Sequence, residues 1–456
     1  MTRIHLIGIG GAGMSGIARV LLARGTAVSG SDAKDSLAVS ALRALGAEVH
    51  VGHAAEHVHG ATTVVVSTAI KETNPELQAA RELGIPVVKR AEALAALLAE
   101  HRAVAVAGTH GKTSTTSMLT VAAQHCGVDP SFAIGGDLNE AGSNAHHGTG
   151  ELFVVEADES DGSFLVYRPE VAIVTNVEAD HLDHHGTVAA YEQAFADFVA
   201  TVTGTVVLCA DDPGSLALQP IALAQGIRVR TYGTTPDADL VLRDLTRSST
   251  GSTYDAVLDG AVLGTVSLPV AGDHQARNSA AALLAGLEVG LPATALIEGL
   301  GGFTGVRRRM ELKGTAGGVR VYDDYAHHPT EVAAQLQAAR VVAGQGRLVA
   351  VFQPHMYSRT QLFADAFGRA LALADEVVVM DVYGAREDPM PGVTGALVAQ
   401  AVPLPAGRVL FEPSWTAVPS ALAARLRPGD LLVTLGAGDV TQIGPEVLRL
   451  LSGELP

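Results

Sequence analysis

The sequence predicts an α/β protein of three domains, each built on a largely parallel sheet. Short apolar segments typical of buried strands alternate with helical segments along most of the 456 residues. Two glycine-rich turns each join such a strand to a helix, and polar residues follow many other predicted strands. At about 100–200 residues per domain, a chain of this length fits about three domains. We expect a Rossmann-like domain at residues 1–98, a phosphate-loop ATPase-type domain at 99–305 and a second Rossmann-like domain at 306–456.

The composition argues against several classes of protein. The chain has 48 acidic and 31 basic residues and a formal net charge of −17, so nucleic acid is not an expected partner. Its two cysteines, Cys126 and Cys209, are too few for a disulfide framework. The N-terminus leads directly into a predicted strand rather than a signal peptide, and no apolar run reaches the ~20 residues of a membrane span. We therefore expect a cytoplasmic protein without a membrane partner.

The first glycine-rich turn predicts a diphosphate site. A strand at residues 4–7 leads into Gly8, Gly10 and Gly13, spaced as G-x-G-x-x-G, and then into a helix. Backbone N–H groups at such a helix start bind the diphosphate of NAD or of a UDP-linked ligand, and an acid ending the second strand meets a ribose in dinucleotide-binding folds. For His53, an exposed loop position is the alternative. The expected ligand contacts are Gly8, Gly10, Gly11, Ala12, Gly13, Met14, Ser15, Ser31, Asp32, His53 and Ser67.

The second turn predicts a nucleoside triphosphate site. An apolar strand at residues 104–107 precedes it, and a helix opens on a run of hydroxyl residues after it. Lys112 would reach the terminal phosphates, and the Thr113 hydroxyl would bind Mg²⁺. The usual pattern has four residues between its glycines, whereas Val106 occupies the place of the first glycine here. The expected ATP contacts are Gly108, Thr109, His110, Gly111, Lys112, Thr113 and Ser114.

Two further strands of the middle segment end in acidic residues. The strand at 152–155 leads into Glu156, and the strand at 171–177 leads into an acid- and histidine-rich stretch. Strand ends beside a phosphate loop face the metal, so Glu156 is our first choice of Mg²⁺ ligand. Glu159 and Asp161 fit a solvated acidic turn better. We interpret Asp180 and His181 as part of a second metal or substrate wall, with a zinc site as the alternative.

The remaining segments predict an antiparallel flap, a hinge and a third sheet. Short alternating strands are expected at residues 240–270, before a helix with a polar first turn. Glycines at 301–305 precede an arginine cluster at 307–309, which suggests a hinge with an arginine that neutralises a transferring phosphoryl group. An exposed basic turn is the alternative. Strands at 319–322 and 348–352 end in polar side chains.

Together these stretches resemble the Mur ligase family over essentially the whole chain. The matching segments, in order, are residues 8–16, 108–116, 156–161, 176–183, 323–331 and 352–360. The resemblance implies that the first turn holds a UDP-sugar, that the middle domain binds ATP and Mg²⁺, and that the last domain closes over ATP and an amino acid. The implied reaction joins L-alanine to the lactyl carboxylate of UDP-N-acetylmuramate through an acyl phosphate. The alternative is a recycling ligase that attaches an intact tripeptide to the same substrate.

The resemblance also implies roles for individual residues, in a monomer or homodimer. Several relatives use a carbamylated lysine at the second metal, and the absence of lysine between Lys112 and Lys313 favours the alanine-adding branch. Gln275 occupies a position where an adenine-binding asparagine is expected. The implied catalytic residues are Lys112, Glu156, His181 and Arg309. The implied metal ligands are Thr113, Glu156 and His181. The implied contacts to adenine, ribose and phosphate are His274, Asn278, Asp324, Arg308 and Arg309. The implied amino-acid or product contacts are Tyr325, His327, His355 and Arg359.

Overall fold

A computed structural model describes residues 2–136, 138, 143–385 and 387–453 of the chain. Its strands form three sheets of five, ten and six strands. The chain divides into two compact units. The first comprises residues 1–243, 255–266 and 277–303, and the second comprises residues 244–254, 267–276 and 304–456.

The first sheet is parallel, in the order β3-β2-β1-β4-β5. Because β1 lies centrally and its neighbours follow in both directions, the glycine turn after β1 opens at the point where the strand order reverses. The elements are β1 (Arg3–Ile7), α1 (Ala12–Ala23), β2 (Ala27–Asp32), α2 (Leu37–Ala44), β3 (Glu48–Val51), a 3₁₀ turn (Ala55–Val58), β4 (Thr63–Val66), α3 (Pro75–Glu82), β5 (Val87–Lys89) and α4 (Arg90–Leu98).

The second sheet has the order β15-β14-β13-β12-β11-β10-β6-β9-β7-β8. Strand β6, which precedes the phosphate loop, pairs in parallel with both β9 and β10, so the ends of all three strands meet at one edge. The elements are β6 (Arg102–Ala107), α5 (Lys112–His125), β7 (Ser131–Ala133), β8 (Ala145–His146), β9 (Leu152–Glu156), a 3₁₀ turn (Ser163–Val166), β10 (Val171–Val174), α6 (Leu182–His185), α7 (Val188–Val199), β11 (Thr205–Cys209), α8 (Pro213–Leu216), α9 (Gln219–Ala224), β12 (Arg228–Gly233), β13 (Leu240–Ser248), β14 (Gly251–Leu258), β15 (Ala261–Leu268), α10 (Asp273–Glu288) and α11 (Ala293–Gly301).

The third sheet has the order β16-β17-β21-β18-β19-β20, and only its β16–β17 pair is antiparallel. The elements are β16 (Glu311–Ala316), β17 (Val319–Asp324), α12 (Pro329–Ala343), β18 (Leu348–Phe352), α13 (Tyr357–Leu371), β19 (Glu376–Val379), α14 (Gly395–Ala401), β20 (Val409–Phe411), α15 (Val418–Ala423), β21 (Leu431–Leu435), a 3₁₀ turn (Asp439–Gln442) and α16 (Ile443–Ser452).

Strand β18 shows why the central strands are apolar throughout. Leu348 and Phe352 belong to a core that includes Phe367 of α13, whereas Val351 belongs to a core that includes Val447 of α16. A parallel strand covered by helices on both faces buries every side chain. In the first unit, one buried apolar cluster includes residues of both of its sheets.

The predicted fold class is confirmed by these parallel sheets, and the strands predicted at residues 240–270 form β13 to β15 at the end of the second sheet. The predicted domain boundaries remain predictions. One strand was placed too long, because β10 ends at Val174 rather than at residue 177. Among the described residues, no helix has both the length and the apolar character needed to cross a membrane.

Candidate functional site

The phosphate loop connects β6 to α5 in a conformation that requires its glycines. Gly108 and Gly111 have φ of +129° and +83°, a region that side chains with a Cβ rarely adopt. A Cβ on Gly108 would overlap Thr175, whose backbone nitrogen lies 2.9 Å from that position. A Cβ on Gly111 would lie 2.7 Å from Oδ1 of Asn278, which is therefore adjacent to the loop.

The end of β10 supports this loop from the next strand. Asn176 Oδ1 accepts a hydrogen bond from the backbone N–H of His110 (2.8 Å), and its Nδ2 donates to the His110 carbonyl (3.0 Å). The Thr175 hydroxyl donates to the same carbonyl over 2.6 Å. The Thr109 hydroxyl lies 2.9 Å from the Tyr191 hydroxyl. Thr175 and Asn176 therefore leave the strand because their side chains bind the loop.

Lys112, the first residue of α5, folds back over the loop. Its Nζ donates to the carbonyls of Gly108 (2.6 Å) and Thr109 (3.1 Å) and to Oε1 of Glu159 (2.9 Å). Although burial alone lowers the pKa of a lysine, the carboxylates of Glu159, Asp158 and Glu156 raise that of Lys112 above its usual value. Lys112 therefore stays an ammonium group, as a phosphate-binding lysine must.

Glu159 corrects one sequence interpretation. We expected a solvated acid, but its side chain is fully buried. Tyr191 donates a long hydrogen bond to its Oε1 (3.4 Å), and Nε2 of His181 lies 3.9 Å from that oxygen. Burial raises the pKa of Glu159 to about 7, and the nearby Lys112 ammonium opposes that rise. The interpretation failed because two helices, α5 and α7, cover this turn, and their proximity is not visible in the local sequence.

Thr113 and Glu156 offer oxygen atoms suited to a hard cation. The Thr113 hydroxyl donates to Oε1 of Glu156 (3.1 Å), and the N–H of Gly135 donates to Oε2 (2.7 Å). Strand β9 places Glu156 directly opposite Val106 of β6. A hydroxyl and a carboxylate beside a phosphate loop match the ligands that Mg²⁺ prefers. The donor set therefore fits the predicted metal.

His181 immediately precedes α6 as its N-cap residue and has a left-handed backbone, with φ of 51°. Its Nε2 lies 3.7 Å from Oδ2 of Asp180, which is itself buried. The backbone N–H of His181 donates to the other oxygen of Asp180 over 2.8 Å. The structure thus brings Lys112, Glu159 and His181 together at one edge of the second sheet.

The first glycine turn is fixed by the end of β2. The carbonyl of Ser31 accepts hydrogen bonds from the N–H groups of Gly8 (2.8 Å) and Ile9 (2.9 Å). The Asp32 carboxylate accepts from the N–H of Gly10 over 2.9 Å. A Cβ on Gly10 would approach Asp32 and Val39 to within about 3 Å, so this contact needs glycine. Asp32 therefore supports the turn through the group that we expected to meet a ribose.

The other residues expected at this turn lie around the start of α1. Gly11 is the N-cap residue of α1: its N–H donates to the Gly8 carbonyl (3.1 Å), and its own carbonyl accepts from the N–H of Ser15 (2.8 Å). Met14 and Ser15 are buried, and Gly13 lies against Arg90. The side chain of Ala12 falls outside the described part of the structure. Ser67 follows the end of β4 and is half-buried.

In the second unit, two residues of the arginine cluster pack on the ring of Tyr325. The guanidinium carbons of Arg308 and Arg309 lie 4.8 Å and 5.4 Å from the centre of its ring. Arg308 Nη2 donates to the carbonyls of Gly436 (2.6 Å) and Gly438 (3.2 Å). Arg308 is thus held by backbone carbonyls of its own unit.

Asp324 ends β17 and is fully buried. Its two oxygens accept from the backbone N–H groups of Met310 (2.7 Å) and Ala326 (2.8 Å). Burial raises the pKa of Asp324 to about 7, against the effect of the nearby Arg309. Asp324 therefore holds Met310, which follows the arginine cluster, and Ala326, which follows Tyr325.

The residues expected to contact the amino acid follow β17 and β18, which lie on either side of β21 in the third sheet. The rings of His327 and His355 make an edge contact with centroids 5.8 Å apart, and His355 stacks on Tyr383. Arg359 is buried, and its Nη1 donates to Nδ1 of His355 over 3.3 Å. The structure therefore brings these ring and guanidinium groups into one cluster.

The three residues expected near adenine lie on α10. Asn278 and Gln275 are buried, and His274 is half-buried in the first turn.

The sequence analysis missed four residues that support these sites: Glu76, Thr175, Asn176 and Tyr191. For Glu76 the only local signal was Asn74-Pro75-Glu76 at a helix start, and an acid in that position is usually solvated.

Sequence profiles match the chain in three consecutive segments. The profile of the Mur ligase family, catalytic domain, matches residues 3–102. The Mur ligase middle domain matches residues 106–286, and the Mur ligase, glutamate ligase domain, matches residues 308–438.

Two similar proteins are the UDP-N-acetylmuramate–L-alanine ligases of Saccharopolyspora erythraea and Acidothermus cellulolyticus. They are 61% and 57% identical to this chain; the alignments cover 100% and 98% of it and 94% and 95% of the relatives. Among solved structures, the UDP-N-acetylmuramate-alanine ligase of Thermotoga maritima superposes with a TM-score of 0.84 at 27% identity, over all of both chains. A murein peptide ligase of Psychrobacter arcticus shares the fold, with a TM-score of 0.71 at 24% identity over all of both chains. Because profiles of all three domains match in order and relatives more than half identical align over nearly the whole length, this chain belongs to the Mur ligase family.

Proposed function

We propose that this protein is an ATP-dependent ligase that joins L-alanine to the lactyl carboxylate of UDP-N-acetylmuramate. The products are UDP-N-acetylmuramoyl-L-alanine, ADP and phosphate. The observation that carries the proposal is the 61% identity, over the whole chain, with the alanine ligase of S. erythraea. We also propose that it acts in the cytoplasm, as a monomer or homodimer.

The chemistry requires activation of a poor electrophile. A carboxylate oxygen of UDP-N-acetylmuramate attacks the γ-phosphorus of ATP, and ADP leaves, which gives an acyl phosphate. The amine of L-alanine then attacks the carbonyl carbon to form a tetrahedral intermediate. Loss of phosphate and of one amine proton gives the amide. Most of the required stabilisation concerns negative charge on phosphoryl oxygens and on the tetrahedral oxygen.

The residues around the phosphate loop suit the first step. The Lys112 ammonium, kept charged by Glu159, would contact the transferring phosphoryl oxygens. Thr113 and Glu156 would hold Mg²⁺, with His181 at a second metal position. Bound Mg²⁺ would supply Lewis-acid stabilisation of phosphoryl oxygens. Arg309, whose guanidinium packs on Tyr325, is the proposed arginine contact to phosphate.

The remaining groups suit substrate binding. The glycine turn fixed by Ser31 and Asp32 would receive the diphosphate of the UDP-sugar at the start of α1. Arg359 would bind the carboxylate of L-alanine, since a guanidinium is the natural partner of that group. His274 and Asn278 would contact adenine, and Asp324 the ribose of ATP.

The tripeptide-attaching alternative is less favoured, because the relatives with the highest identities described above are alanine ligases. The deciding experiment measures phosphate release from ATP with Mg²⁺ and UDP-N-acetylmuramate, comparing L-alanine with an L-Ala-γ-D-Glu-containing tripeptide. We expect release with L-alanine. Release only with the tripeptide would contradict the proposal and favour the recycling ligase.

A Lys112→Ala variant tests the assignment of the phosphate loop. We expect turnover to be lost while UDP-N-acetylmuramate binding is retained, because Lys112 lies after β6 and the glycine turn lies after β1. Loss of both functions in a folded variant would contradict the separate assignment of these two turns.

A further inference from the structure

A buried carboxylate in the first unit has polar side chains from three different segments around it. Glu76 lies in the first turn of α3 and is fully buried. Its Oε1 lies 2.7 Å from Nδ1 of His57, and its Oε2 lies 3.2 Å from Nδ1 of His53. The Ser31 hydroxyl, at the end of β2, donates to the same Oε2. Nε2 of His5, on β1, lies 3.8 Å from that oxygen.

These partners keep the carboxylate ionised. Burial by itself raises the pKa of Glu76, but interactions with His5, Ser31 and His57 outweigh burial and bring the pKa down to about 2. An ionised carboxylate only accepts hydrogen bonds. The Nδ1 atoms of His53 and His57 must therefore carry protons, which fixes the tautomer of each ring when it is neutral.

Ser31 connects this cluster to the glycine turn. Its hydroxyl binds Glu76, and the oxygen of that hydroxyl lies 3.0 Å from Nδ1 of His53. Its backbone carbonyl accepts from the N–H groups of Gly8 and Ile9. One residue thus joins the proposed diphosphate turn to the carboxylate and to a histidine ring.

Exposure separates the residues that a ligand can reach from those that it cannot. The side chains of Ser31 and Glu76 are fully buried, whereas those of His53 and His57 are 23% and 16% exposed. His57 stacks face to face on His50, with centroids 4.0 Å apart. His53 is therefore the member of the cluster best able to meet a ligand, and Nε2 is its remaining ring nitrogen.

We infer that Glu76 is a positioning residue of the UDP-substrate site, which holds the His53 ring so that Nε2 is presented to the bound UDP-sugar. The inference rests on the function proposed above. It also assigns an indirect role to Ser31, whose hydroxyl serves the buried network rather than the ligand. A neutral His53 would accept a hydrogen bond through Nε2 from a uracil N–H or a sugar hydroxyl.

The test compares Glu76→Gln with Glu72→Gln, a matched control whose exposed carboxylate pairs with Arg81 nearby. Glutamine keeps the size of the side chain but offers one acceptor oxygen and a donor group in place of two acceptors. We expect Glu76→Gln to weaken UDP-N-acetylmuramate binding in calorimetry by about tenfold or more, as for loss of a charged hydrogen-bond partner. The KM for ATP and the kcat at saturating substrate should stay within about twofold, and Glu72→Gln should match the wild type.

A double-variant cycle distinguishes positioning from a general structural effect. If Glu76 acts through His53, the pair Glu76→Gln with His53→Ala should bind the UDP-sugar no more weakly than His53→Ala alone. Fully additive losses, or wild-type affinity in folded Glu76→Gln, would overturn the inference.

Should Glu76→Gln fail to fold, His53→Asn decides the question, because asparagine retains a donor near the position of Nδ1 but lacks Nε2. We expect it to lose as much affinity as His53→Ala, and retained affinity would overturn the inference. A wild-type protein that does not bind UDP-N-acetylmuramate would instead refute the proposed function itself.

Discussion

The Nζ atom of Lys112 lies 2.8 Å from Oε2 of Glu159, and the Glu159 side chain is fully buried. A buried ion pair costs solvation free energy and is a poor source of stability. Here the pair keeps Lys112 charged within the phosphate loop, where hydrogen bonds to two backbone carbonyls restrict the conformation of its side chain. Glu159 would therefore act on phosphate through Lys112.

The first prediction concerns Glu159→Gln. Removal of this carboxylate takes away a contribution that raises the Lys112 pKa, so that pKa should fall. The basic limb of the pH profile of kcat/KM for ATP should then move to lower pH, with a loss of about 100-fold near neutral pH. Phosphate release measured across pH checks both effects.

The control for this prediction is Glu170→Gln, which breaks an exposed pair with Arg102 at the start of β6, the strand that precedes the phosphate loop. We expect little change there, since exposed pairs contribute about 0–1 kcal/mol. An unchanged pH profile in Glu159→Gln would show that Lys112 does not depend on this carboxylate.

The second prediction concerns Gly111→Ala at the start of α5. The positive φ disfavours alanine, and the added Cβ would lie 2.7 Å from Oδ1 of Asn278. We expect a loss of about 1–3 kcal/mol in the free energy of unfolding, together with weaker ATP binding. Denaturant titration and calorimetry with an ATP analogue measure these changes.

Gly127, just beyond the other end of α5, provides the matched control. Its φ of +78° is nearly the same, and within the described ranges no atom lies within 4 Å of the added Cβ. Gly127→Ala should therefore show only the backbone cost. Adding Asn278→Ala to Gly111→Ala should remove the difference in the free energy of unfolding between the two glycine variants. Equal losses of stability in Gly111→Ala and Gly127→Ala would argue against the contact with Asn278.

The third prediction separates two neighbouring arginines. Arg308 donates to the carbonyls of Gly436 and Gly438, so Arg308→Gln should lower the free energy of unfolding by about 1–2 kcal/mol. Arg309→Gln should leave stability nearly unchanged but lower kcat by tenfold or more, as expected for a phosphate contact. Thermal unfolding and phosphate release, measured on both variants, test these two roles. A loss of stability in Arg309→Gln together with a loss of kcat in Arg308→Gln would contradict the prediction.

The fourth prediction follows from the lowered pKa of Glu76. The pKa of Glu76 is about 2 in the folded protein and 4.5 without these partners. Its contribution to the free energy of unfolding is therefore present above about pH 4.5 and is lost as the pH falls toward 2. At pH 7 the shift corresponds to at most about 3 kcal/mol. The stability gap between wild type and Glu76→Gln should therefore narrow between about pH 5 and pH 3. Denaturant titrations over this range measure it, and a constant gap would mean that the charge of Glu76 is not what stabilises the cluster.

Several elements could be predicted closely from local sequence. The expected strand at 4–7 appears as Arg3–Ile7, and the strand expected at 348–352 appears as Leu348–Phe352. Apolar runs of this length and the glycine turns between them are local signals. The end of β10 was wrong because the side chains of Thr175 and Asn176 bind a loop more than sixty residues away in sequence.

The sequence by itself determined the family, the order of strands and helices and the positions of the two glycine turns, because these depend on residues close together in the chain. The tertiary structure decided which acids are buried. Glu76 meets Ser31 from 45 residues away, and Glu159 meets Lys112 from 47 residues away. Whether a carboxylate is solvated or holds a neighbouring group depends on the segments packed around it, and that packing is not a property of the local sequence.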